Sequence, residues 1–110
     1  MLFRSVSESG DFAIETDAGP RFALARPFPN PWRGKGAATF PISVPSRGAI
    51  TLELYDLQGK LVTRHPPIEF AGGRTYTIDW NPGPIPSGVY IVRAVSSSGE
   101  STHTKWVSLR

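Results

Sequence analysis

Cysteine is absent from all 110 residues. That removes disulfide staples, thiolate zinc sites, iron–sulfur clusters and cysteine nucleophiles together. Histidine is nearly absent: His65 stands before two prolines, and His103 lies between Thr102 and Thr104. A Ser-His-Asp triad needs an imidazole fixed between a nucleophile and a carboxylate, and neither position offers that setting. Two histidines without further converging ligands do not make a zinc shell, so both read as solvated surface residues. Asp79, followed by Asn81, is too sparse for the six to eight oxygens calcium takes. Glu53 and Asp56 fall on and just after one alternating stretch, presumed to face solvent, with no cleft for glycoside hydrolysis. Walker and dinucleotide glycine motifs are missing. No apolar run nears the roughly 20 residues that span a bilayer; Val89 to Val92 is stopped by Arg93. Basic residues interleaved with aromatics, zinc-finger spacings and RNA-binding motifs are missing too. The expectation is a chain that is not an enzyme and has no cofactor, no metal site, no nucleic-acid partner and no membrane span.

Glycine and proline, by contrast, are abundant, 11 of each, against a combined average near 12%. A chain cut so often argues against long helices and a helical bundle. Hydrophobic content of 39% and three tryptophans supply the apolar mass that disordered chains lack. The length supports one modest core.

Charge is uneven. Residues 1–20 carry Arg4 against Glu8, Asp11, Glu15 and Asp17, net −3, whereas the rest carries eleven Lys and Arg against five Asp and Glu, net +6. The first segment also holds Ser5, Ser7, Ser9 and Gly10 and closes in Gly19-Pro20. It lacks the apolar core and cleavage pattern of a signal peptide. We read 1–20 as a linker or the tail of a preceding region, with one short strand possible around Phe12 and Ile14.

From Phe22 onward short alternating runs are bounded by turn residues. Prolines 27, 29 and 31 forbid a helix or a central strand, so this stretch reads as an extended edge, with Trp32 capping it. Ala38, Phe40, Ile42 and Val44 alternate with polar residues, and Pro41 pushes that strand toward a sheet edge. Ile50, Leu52 and Leu54 share one face. Asp56-Leu57-Gln58-Gly59 turns into a second arm from Lys60 to Arg64, which His65-Pro66-Pro67 ends. Tyr76, Ile78 and Trp80 point inward; Val89 to Ser96 is apolar on both faces and therefore central; Thr102 to Leu109 is last. About seven strands at this spacing predict an all-β, two-sheet antiparallel sandwich, because each apolar face must meet another to leave water, with a small closed barrel as the competing arrangement.

Several of these residues together resemble a known family. Asn30-Pro31, the run Ile50 to Val62 with its Tyr55-Asp56-Leu57-Gln58-Gly59-Lys60 hairpin, Trp80, the strand entry Ser87-Gly88-Val89-Tyr90, and the close Thr104 to Arg110 are similar to the type A C-terminal sorting domain of the type IX secretion system. The immunoglobulin-like domain of flagellar hook-capping proteins is similar in pattern. The resemblance implies that residues 21–110 are an immunoglobulin-like antiparallel β-sandwich, a sorting domain at the end of an exported bacterial protein. It further implies recognition by outer-membrane export machinery, an N-terminal passenger domain, and a secreted or cell-surface destination by way of the periplasm and outer membrane.

Within that reading, Tyr55, Asp56, Gly59, Gly88, Val89 and Tyr90 hold the scaffold. Asp56 accepts backbone hydrogen bonds, Gly59 takes a left-handed position, Gly88 admits a turn, and Tyr90 fills the core with its hydroxyl on a backbone partner. Lys105, Trp106, Val107 and Arg110 are the expected recognition residues. If Val107 and Leu109 point inward, Trp106 points outward as a contact. Two other readings stand beside this one: a carbohydrate-binding module using Trp32 or Trp106 as a sugar platform on a polysaccharide, and a structural immunoglobulin-like spacer.

Overall fold

The computed structural model describes residues 21–110; the linker and the short strand expected within 1–20 lie outside the described residues. Seven strands follow in chain order: β1 (Ala23–Leu24), β2 (Ala38–Val44), β3 (Gly48–Tyr55), β4 (Leu61–Phe70), β5 (Arg74–Trp80), β6 (Gly88–Ser96) and β7 (Ser101–Ser108). They form two antiparallel sheets, β1-β2-β5 and β4-β3-β6-β7. The inward residues of both sheets make one core: Phe40, Ile42 and Val44 from one side, and Ile50, Leu52, Leu54, Val92 and Trp106 from the other, with Trp32 between. This is the two-sheet sandwich that the alternation predicts and not a closed barrel, with the immunoglobulin-like character that the resemblance implies.

Two proline-containing strands differ from expectation. β2 is the middle strand of its sheet despite Pro41. The register Ala23↔Ser43 and Leu24↔Ile42 places Ala25 opposite Pro41, and Ala25 N–H donates to the Pro41 carbonyl at 2.9 Å. N–H and C=O of one residue point the same way, so the donor that proline lacks is missing only toward the short strand β1. β1 ends there. β4 does not stop at His65-Pro66-Pro67 but runs on to Phe70. It is a sheet edge, and the pairs Leu52↔His65 and Ile50↔Ile68 leave one extra residue in a bulge at the prolines. His65 is half-buried, its ring edge-on to Trp80 at 5.8 Å, so it is not the solvated residue expected.

Two tyrosines lock loops to the strands that follow. The Tyr90 hydroxyl donates to the Pro86 carbonyl at 2.6 Å. The Tyr76 hydroxyl accepts from Gly72 N–H at 3.1 Å and donates to the Gly72 carbonyl at 3.2 Å. Burial, and next the negative charge of Asp56, hold the Tyr90 phenol above its ordinary value of 10.0. Since the folded value lies above the unfolded one, this stabilisation is present in full below pH 10 and is lost as pH rises through the folded value. Tyr90→Phe should lower stability by about 1 kcal/mol at neutral pH, through the orphaned carbonyl. It should also flatten the alkaline limb of a stability-versus-pH curve from urea melts. An unchanged alkaline limb would show that Tyr90 does not govern it.

Candidate functional site

β7 is the last strand of the four-stranded sheet; it pairs with β6 and, at its end, bridges Trp32 through Ser108. Its side chains alternate. Thr102, Thr104, Trp106 and Ser108 point inward, and Ser101, His103, Lys105 and Val107 point to the outer face. The inward set is therefore the reverse of the one expected. Trp106 is fully buried, Val107 half-buried and Leu109 exposed. The reason is area: an indole buries more apolar surface than valine or leucine, and the polar Thr102, Thr104 and Ser108 disguise the inward face. Trp106 stacks on Trp32 at 5.3 Å and meets Phe40 edge-on at 5.2 Å, while its Nε1–H donates to the Pro29 carbonyl at 3.0 Å. Trp32 is likewise fully buried, not a cap on the edge. Neither ring offers the sugar platform considered above.

The expected recognition residues thus separate. Lys105 is exposed and Val107 lies beside it on the outer face, opposite Val89 of β6. Trp106 belongs to the core. Arg110 is tied down: its backbone N–H donates to Ser87 Oγ at 3.0 Å and its guanidinium to the Ile85 carbonyl at 3.2 Å. Its side chain lies against Gly34, where an added Cβ would come within 3.2 Å of Arg110 Cγ.

The scaffold residues lie at the same end of this sheet: Tyr55 stands opposite Ile91, which stands opposite Lys105, and Gly88 stands opposite Ser108. Asp56 Oδ1 accepts from Gln58 N–H and Lys60 N–H, both at 2.9 Å, and Gly59 adopts φ +83 to close the turn. Val89 is exposed on the outer face. Gly88 opens β6 with an ordinary backbone, and a Cβ there would stand 3.9 Å from the Tyr90 ring, so no special turn conformation demands glycine at this point.

Two features escaped the sequence reading. Glu53 stands opposite Arg64 on one side and Arg93 on the other, and Arg93 stands opposite His103. Glu53 Oε1 accepts from Arg93 at 3.3 Å and from the Tyr55 hydroxyl at 2.8 Å, and Arg64 lies 3.8 Å from Oε2. The row crosses all four strands, and only register reveals it. The second is the strap around Asn30. Asn30 Oδ1 accepts from Val107 N–H at 3.1 Å, Trp32 N–H donates to the Val107 carbonyl at 2.8 Å, and Leu109 N–H donates to the Trp32 carbonyl at 2.9 Å. Spacing of Asn30 before a proline was the only hint.

Among the described residues, ionisable groups do not converge on one point. An open groove of about 520 Å³ is lined by Arg21, Phe22, Pro45, Glu100 and Ser101, with one acid and one base at its rim. Among the described residues no group of three metal-ligating side chains gathers, and no helix is long and apolar enough to cross a membrane.

The fold is a two-sheet sandwich whose last strand exposes Lys105 on its outer face, with Val107 and Val89 beside it. The chain belongs to the secretion system C-terminal sorting domain family, whose model matches residues 27–108. It is similar to the dimeric latent PorU of Porphyromonas gingivalis, with TM-score 0.64 and 27% identity over 88% of this chain, and it spans only 10% of that protein's length. CopC of Methylosinus trichosporium OB3b aligns over 80% of this chain and 91% of its own at TM-score 0.42 and 20% identity, a distance at which even the fold correspondence is loose. No curated protein matches. The domain is a sorting domain of the type IX route, and its destination is the exterior or the cell surface.

Proposed function

We propose that residues 21–110 stand behind an N-terminal passenger and that outer-membrane export machinery binds them through the outer side of β7. The observation that supports this is the division of labour on that strand. Trp106 and Ser108 are fully buried and hold the core, while Lys105 and Val107 present a cation and an aliphatic side chain beside exposed Val89. The recognition residues are then Lys105 and Val107, with Trp106 and Arg110 fixing the strand that carries them. The spacer reading predicts no address at all, which makes the two separable.

A reporter joined ahead of the full chain, behind a periplasmic leader, tests this in a bacterium that has the type IX machinery. Surface or extracellular reporter is the expected result. A folded fusion that stays periplasmic would favour the spacer.

A further inference from the structure

We infer that the partner docks on β7 as an added strand, an extended acidic segment that takes the main-chain groups of His103 and Lys105. This deepens the proposed function and rests on it.

The backbone sets the geometry. Val107 turns both its N–H and its carbonyl away from β6 and toward the Asn30–Trp32 strap, and Leu109 N–H follows. Main-chain groups alternate sides along a strand, so those of His103 and Lys105 face the same way. Among the described residues they meet no partner. The chain already adds to one end of this edge: Trp32 pairs with Ser108 in parallel. The strap then leaves, because Phe28 pairs with Thr39 of β2, in the other sheet. Half the edge is thus covered by an added strand; beyond it Leu24 N–H of β1 reaches Thr102 Oγ1 at 3.3 Å, and the main chain of His103 and Lys105 between is open for one among the described residues.

The other sheet edges are less suited. β4 is broken by its bulge at Pro66 and Pro67, the devices that keep edges from pairing. β5 carries mixed charge, Arg74 over the Tyr76 ring and Asp79 accepting from Thr39. Beside the open half of β7, the outward side chains are His103 and Lys105, with Arg93 in the next strand. The acid of that row, Glu53, is already shared between Arg64 and Arg93. Main-chain bonds would supply the hold, and alternate acidic side chains over His103 and Lys105 the selectivity.

Proline at an outward-facing edge position removes the donor without disturbing the inner ladder. Lys105→Pro and Lys105→Thr separate backbone from charge, and thermal melts of both fusions establish that they fold. In the export assay, Lys105→Pro should lower surface delivery by about tenfold, well below Lys105→Thr. Delivery of folded Lys105→Pro at the level of Lys105→Thr or above overturns strand addition, whereas an undelivered wild-type fusion overturns the sorting reading itself. Independently of export, a blocked hexapeptide alternating glutamate and valine should slow amide exchange at His103 and Lys105 in the full chain, and its lysine–valine counterpart should not. Protection confined to β5, protection by residues 1–20 or a second copy without peptide, or no protection would each contradict the inference.

Discussion

Replacing Trp106 by alanine should lower stability by about 3–5 kcal/mol, the range for deleting a large aromatic from a packed core. The indole is fully buried between Trp32 and Phe40, and its Nε1–H holds the Pro29 carbonyl. Truncation opens a cavity and orphans that carbonyl together. For a domain of this size the loss should appear as a fall in melting temperature of about 20 °C. An exposed Trp106 serving as a contact predicts almost no change in the melt. A calorimetric scan of Trp106→Ala therefore distinguishes the two placements outright. Loss of export in this variant would report unfolding, so Trp106 is unsuitable for mapping recognition.

Gly72→Ala should be nearly as damaging. Gly72 sits at φ +89, a conformation that strains any side chain, and an added Cβ would lie 2.4 Å from the Ser46 carbonyl carbon and 2.6 Å from Arg47 N. Both atoms are backbone and cannot swing aside. Strain of about 1–3 kcal/mol combines with a similar term for overpacking. The same shift would pull Gly72 from the Tyr76 hydroxyl, which both donates to and accepts from it. Gly73→Ala next door is the control: it shares the positive φ, yet a Cβ there meets nothing within 4 Å. Urea melts should rank the losses Gly72→Ala well above Gly73→Ala. Equal losses would mean that backbone conformation alone, not the crowding against Ser46, sets the cost.

Where apolar residues alternate cleanly the sequence was transparent. Ala38, Phe40, Ile42 and Val44, or Ile50, Leu52 and Leu54, are all buried as period 2 requires. The Asp56 turn was equally legible, since aspartate and glycine at its two ends have specific backbone roles. The terminal strand misled because its inward face is mostly hydroxyl-bearing and its outer face carries Val107. Only the stacking of Trp106 on Trp32, 74 positions earlier in the chain, decides which face is which. Pro41 and Pro66-Pro67 misled because a missing donor matters only on the side where a partner would have accepted it. The Arg64–Glu53–Arg93–His103 row depends on three separate registers, information that no local window holds. Lys105 is a candidate from family resemblance, and the structure adds that its side chain is exposed beside a stretch of edge that meets no strand among the described residues.

The most direct measurement is surface yield of the reporter fusion carrying His103→Glu and Lys105→Glu, with thermal melts of the same purified protein. Both residues are exposed, so the melt should shift little, within about 0.5 kcal/mol per site. Surface yield should collapse, leaving a folded passenger in the periplasm. Undiminished delivery of this charge-reversed, fully folded domain would contradict recognition through β7.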